Sequence, residues 1–224
     1  MEKYHNSVSS FKEHIIQLSC NRIEMASSSS TIVLSLKLLS LLFDICPSTV
    51  PNSVVLLLPS LVFPMITGDN QSFFASASSL LTSIVISLKR RLLLDLLKQF
   101  RNVILELFQP FITSLPSISV DSIIDSIQNG RSAITIISSI DMQSQRSLCM
   151  ARGCLECFRV LSQYGFDCIE DLYVSVTTIT TRCLLFSDSS IILLVMRIVL
   201  VDVFSRHFHL SDSTIDQGSF FFCS

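Results

Sequence analysis

Tryptophan is absent from this chain, and glycine is scarce, at five in 224 residues. Glycine supplies the tight turns and close backbone approaches of nucleotide-binding loops and turn-rich β-sandwiches. A chain so poor in it points away from both. No G-x-G-x-x-G, G-x4-GK[ST] or G-x-S-x-G occurs, so no phosphate-cradling loop and no nucleophile elbow is announced. Charge is thin as well. Charged residues make up 15% of the chain, against ~25% in ordinary soluble domains. The net charge of −2 gives no global electrostatic case for nucleic acid. The first residues, MEKYHNSVSSFKEH, are polar and lead into no apolar leader segment. The eight cysteines therefore read as reduced thiols rather than a disulfide framework, and the expected setting is intracellular, cytoplasmic or nuclear.

Unbroken apolar runs are short. Ile45 to Gly68 carries no charge, but Pro47, Pro51, Pro59 and Pro64 interrupt it. Gln71 to Leu88 is also uncharged, but serines and a threonine punctuate it. A membrane-spanning helix wants ~20 mainly apolar residues. An alternative reading as a polytopic helical membrane protein would place spans near 50–68 and 71–88, with Lys89-Arg90-Arg91 as a basic flank. Membrane insertion is not favoured, because the apolar residues lie in stripes rather than all round.

What the chain has in quantity is aliphatic residues at helical spacing, separated by serine, threonine and proline. Residues 1–30 are a polar lead-in with a short amphipathic helix over Phe11–Ile23, closed by a serine run that offers a helix cap. Residues 31–209 form the helical domain, and 210–224 an irregular tail. Ile32, Leu36, Leu39, Phe43 and Cys46 make one helix face, which Pro47 closes. Pro51 and Asn52 open a segment that Pro59 is expected to kink or break. Thr67-Gly68-Asp69-Asn70 is a loop. Phe73, Ala77, Leu80, Ile84 and Leu88 form the next stripe, and Leu93, Leu97, Phe100, Ile104 and Leu107 the one after it. A turn is expected near Ser87 to Arg91, and Pro110 is expected to end the second of these helices. Arg91, Asp95, Lys98, Arg101, Asn102 and Glu106 make its polar face. Asn129-Gly130 ends a short helix from Asp121, and Arg131 to Ile140 fits strand or helix equally. A helix then runs from about Ser144 to Gly165. Asp167 to Glu170 resembles a capping box for the next helix, and Asp188 caps a last one from Ser189 to about Phe208.

The helix starts near Thr31, Gln71, Ser144 and Ser189 lie 40, 73 and 45 residues apart, and the first and last of these intervals match the span of HEAT and armadillo units. The order over Ser30 to Phe108 is helix, CPSTVPNS turn, helix, TGDN loop and a pair of leucine-rich helices. That segment resembles an armadillo/HEAT-type α-solenoid. The fold this implies is all-α, an α-solenoid of antiparallel helix pairs. The function it implies is a non-catalytic scaffold for protein–protein interaction, a subunit or fragment of a larger complex. Other proteins are the expected partners, and neither nucleic acid nor a small-molecule substrate is.

Two clusters invite a chemical reading. Cys149, Cys154 and Cys157 have the C-x4-C-x2-C spacing of a plant-type iron–sulfur site, with Cys183 as a distant fourth ligand. They fall, however, inside the helical pattern Leu148, Ala151, Leu155, Phe158, Leu161. At 100° per residue Cys149 and Cys154 stand ~140° apart, so one cluster cannot hold both unless the helix breaks at Gly153. They are read as small core residues, with no metal or cofactor expected. His207-Phe208-His209 lies at an expected helix end, where a cationic histidine suits the helix dipole, and is read the same way. The second cluster is basic: Lys89, Arg90, Arg91, Lys98 and Arg101. A helix face carrying five cations is either solvated or a partner-binding patch. It is the candidate functional site.

Overall fold

The computed structural model describes residues 2–25, 28–46, 50–115, 145–164, 178–180, 182–183 and 188–198, with side chains in the first segment from Lys12 onward. The described residues are helical, with no strand among them. The main helices are α1 (Glu2–Glu24), α2 (Ser29–Ile45), α3 (Asn52–Ile66), α4 (Gln71–Arg90), α5 (Leu94–Ser114) and α6 (Gln145–Tyr164). A shorter apolar helix, α7, covers Ser189–Ile198. The expected readings at Asp121–Ile140, Asp167–Glu170, His207–His209 and the tail lie outside the described residues.

Helix starts follow local chemistry. The Ser28 hydroxyl accepts a bond from the Thr31 amide at the head of α2. Asn70 Oδ1 accepts from the amides of Ser72 (3.0 Å) and Phe73 (3.2 Å) and so starts α4. Asp188 Oδ1 does the same for Ser190 (2.9 Å) and Ile191 (3.2 Å) in α7. The TGDN loop lies between α3 and α4 as its residues require.

Three expectations are corrected. The N-terminal helix is not confined to Phe11–Ile23 but runs from Glu2 to Glu24, with Ile16, Cys20 and Ile23 in the core. Pro59 does not break α3, which also contains Pro64. Each proline removes a backbone donor and disfavours the helix by ~3 kcal/mol. Burial of Val55, Leu58, Val62, Met65 and Ile66 on one face offsets this, at ~1.5–3 kcal/mol for each large side chain. Pro110 does not end α5, which continues to Ser114. Pro110 and Glu106, whose carbonyl loses its donor there, are both exposed, so water replaces the lost bond.

Among the described residues the core is one continuous cluster drawn from α1 to α7, with Ile179 and Cys183 joining it. α4 is its axis. It packs on α2 along one flank, on α6 along another, and on α3 and α5 between them. Ala77, Leu80, Ile84 and Leu88 of the expected α4 stripe are fully buried, as is Val85, while Phe73 is partly buried. Second neighbours in the chain pack side by side: α2 on α4, and α3 on α5. In the α3–α5 contact the Phe63 and Phe108 rings meet edge to face at 5.1 Å.

Candidate functional site

The corner where α4 passes into α5 holds the basic cluster. α4 ends in a Schellman motif: the Leu93 amide donates to the Leu88 carbonyl (3.0 Å) and the Leu92 amide to the Lys89 carbonyl (3.0 Å). This motif needs a left-handed residue after the cap, a place normally taken by glycine. Here Leu92 takes it, with φ of 56°. An L-residue with a branched side chain is strained in that conformation by roughly 1–2 kcal/mol. Leu92 is also 80% exposed, so core packing does not offset the strain. The turn falls one to two residues later than the sequence pattern suggests, because the Lys89 and Arg90 backbones still belong to α4.

Around Leu92 the cations divide. Lys89 and Arg90 are exposed in the last turn of α4, where their charge also suits the helix dipole. Lys98 is exposed on α5, one turn after the exposed Leu94. Arg91 is half-buried as the cap residue. Arg101, which belongs to the expected polar face, is instead buried at 7% exposure. Its Nε and Nη2 donate to Asn102 Oδ1 at 3.1 and 2.9 Å. The exposed members of this corner are therefore Lys89, Arg90 and Lys98, together with Leu92 and Leu94. Nothing in the pattern KRRLLLDLL distinguishes the leucine that the turn turns outward, and periodicity alone could not find Leu92.

The cysteines sit differently. α6 runs unbroken through Gly153, so Cys149, Cys154 and Cys157 lie on one continuous helix. Cys154, Cys157 and Cys183 are buried. Burial pushes the Cys183 thiol up to about 12. Burial also raises the Cys154 thiol, helped by nearby Cys183 and Cys157, and the Cys157 thiol, helped by the Glu156 carboxylate. A buried thiol held neutral is a poor nucleophile and a poor metal ligand. Cys149 stands apart: it lines a cavity of about 70 Å³ with Gln145, Arg152, Asp188 and Ser190, and Gln145 Nε2 donates to its sulfur at 3.7 Å. Among the described residues no group of three or more histidine, cysteine or carboxylate side chains could hold a metal.

The same helix carries a polar docking device that sequence reasoning missed. A Cβ on Gly153 would lie 2.7 Å from the Ile66 carbonyl, so only glycine lets α6 approach the end of α3 this closely. Next to it, Arg152 Nη2 donates to the Gly68 carbonyl at 2.8 Å, and its guanidinium lies 4.4 Å over the Phe74 ring. One turn on, Glu156 is buried at 5% exposure. It accepts from Ser78 of α4 and from Arg159 Nε and Nη2 at 2.8 and 2.7 Å. The bonds from Glu156 raise the Arg159 pKa above its ordinary value. These groups lock α6 to α4 and to the α3–α4 loop.

The chain matches no protein-family model, no curated protein and no solved structure. Its function has to be read from its own surface. α4 is the one helix among the described residues long and apolar enough to cross a membrane, and half of its apolar window is buried against the other helices. α3, at 15 residues, spans roughly 22 Å, short of a ~30 Å hydrocarbon core.

Proposed function

We propose that the chain is a non-catalytic helical-repeat scaffold that binds other proteins inside the cell, through the corner at Leu92. The observation that carries this is the strained, exposed Leu92, with the exposed cations Lys89, Arg90 and Lys98 close to it along the chain. Strain retained without a packing benefit is the kind of feature that functional sites keep. An outward leucine among cations suits a partner with an apolar pocket rimmed by carboxylates. The stacking of second-neighbour helices, α2 on α4 and α3 on α5, resembles the repeat-on-repeat stacking of an armadillo/HEAT-type α-solenoid and is what supports that reading.

The test separates binding from folding. The tagged chain is purified from cells without detergent, and its co-purifying proteins are quantified beside those of Leu92→Gly and of K89E/R90E/K98E. Glycine relieves the left-handed strain, so Leu92→Gly is expected to hold stability or raise it by up to about 1 kcal/mol. It should nevertheless lose the stoichiometric partner, as should the charge-reversed chain. Partner capture unchanged in both variants refutes the corner. A chain found in the carbonate-washed membrane pellet with no partner favours the membrane alternative.

A further inference from the structure

α2 is apolar on two faces. Its buried face, Ile32, Leu36, Leu39 and Phe43, joins the core. On the opposite side Leu34, Leu38, Leu41 and Ile45 are 66, 39, 51 and 67% exposed. Their spacing of four, three and four residues is a heptad seam with Leu34 and Leu41 at d and Leu38 and Ile45 at a. Scattered exposed leucines need no explanation, but a continuous seam of four does. The charged residues of α2 are Lys37 and Asp44. Both are exposed, and both occupy the g position of this seam. Among the described residues neither takes part in a salt bridge.

We propose that this seam pairs antiparallel with the α2 seam of a second copy of the chain. The charges select that occupant and that direction. In an antiparallel pair each a residue faces a d residue, and each g residue meets a g residue of the other helix. Facing Leu38 with the other copy's Leu41, and Leu34 with its Ile45, brings Lys37 against the other Asp44 and Asp44 against the other Lys37. A two-fold axis makes both ion pairs at once, as an isologous dimer requires. In a parallel pair, g meets e instead. The e positions are Ser35 and Leu42, which offer Lys37 and Asp44 no opposite charge. The inference rests on α2 alone and stands apart from the Leu92 corner and from the repeat reading.

The seam is short, roughly 17 Å along the helix axis, and buries less than the ~1,200 Å² of a stable interface. The expected dimer is weak, with a dissociation constant on the order of tens of micromolar. Sedimentation velocity of the full chain over a concentration series reads it directly. K37D and D44K each turn both ion pairs into like-charge contacts and should each weaken the dimer about tenfold. The double variant K37D/D44K restores opposite charges and should return the wild-type constant. L38E/L41E should remain monomeric at every concentration. All four positions are exposed, and unchanged thermal melts confirm folding in each variant. A wild-type chain that stays monomeric overturns the proposal, as does a dimer indifferent to both charge reversals. A monomer that captures a different protein through Leu38 and Leu41 overturns it in favour of a heterologous partner. Because L92G leaves the seam intact, loss of partner capture with the dimer retained is distinguishable from loss of the dimer itself.

Discussion

Where α4 meets α2, the contact is made of aliphatic side chains and small hydroxyls. Ser35 and Ser40 of α2 and Ser76, Ser83 and Ser87 of α4 are all buried, and Ser40 and Ser83 bond at 2.7 Å. Where α4 meets α6, the contact contains ions: Glu156 holds Ser78 and Arg159, and Arg152 grips the loop that starts α4. The first flank gains stability from close packing, and nothing directional fixes it beyond a hydroxyl pair. The second flank buries a carboxylate, which is tolerable only with its partners in place, so it fixes one register of α6 and disfavours others. The difference shows why a chain with few charges places them where it does. Sparse charges that are buried and paired specify geometry, whereas the serines and leucines supply most of the burial.

Substitutions can break this contrast. The largest effect is expected at Gly153, where any Cβ meets a backbone carbonyl that cannot swing away. Gly153→Leu should cost about 3 kcal/mol in a denaturant titration. Gly153→Ala should also destabilise, although glycine to alanine in an ordinary helix interior stabilises by ~1 kcal/mol. Second comes Glu156→Ala, which removes the acceptor of the Ser78 hydroxyl and two of the Arg159 bonds and should cost about 2 kcal/mol. Glu156→Gln keeps the shape and the Ser78 bond and should lose about half as much.

The α2 flank should respond less. Ser40→Ala leaves the buried Ser83 hydroxyl unpaired and should cost about 1 kcal/mol. The double variant S40A/S83A should cost no more than either single change, because no orphan hydroxyl remains. A double-mutant cycle measures this directly. Near-additive losses would instead mean that each serine acts through packing.

The smallest effect at neutral pH, and one that grows only in alkali, belongs to the thiols beside α6. Cys154, Cys157 and Cys183 have raised pKa values in the folded chain. The folded state therefore keeps protons that the unfolded state releases, and stability must fall as pH rises. The loss begins near the ordinary thiol value of 9.0 and, for Cys183, continues to about 12. Urea titrations at pH 7, 9 and 10 should show stability already lower at pH 9 than at pH 7, because the unfolded thiols are half ionised there, and lower again at pH 10. In C183A the loss between pH 9 and pH 10 should be smaller.

Much of the fold is legible in the residues. The stripes of α2, α4 and α5 are buried where their spacing puts them except at Cys46, Phe73, Leu93 and Leu107, which are half-buried, and Asn70 and Asp188 cap the helices they precede. The prolines misled because local propensity was set against tertiary burial, which is larger for α3 as a whole. The basic cluster was legible as a composition but not as a surface. Arg101 has the sequence context of an exposed cation, yet it is buried and bonds to Asn102, while the stripe pattern gives no sign that Leu92 is the exposed leucine of the turn.

The sequence by itself determined that the chain is helical, where most of its helices start, and that the cysteine triplet lies along one helix. Those follow from periodicity, capping and the 100° step, which are local properties. Tertiary structure alone decided which helices are neighbours and which apolar faces stay uncovered. It also decided that glycine is required at position 153 and that a leucine occupies a left-handed turn. Those depend on contacts between segments far apart in the chain, such as Gly153 with Ile66 and Glu156 with Ser78, which no local pattern encodes.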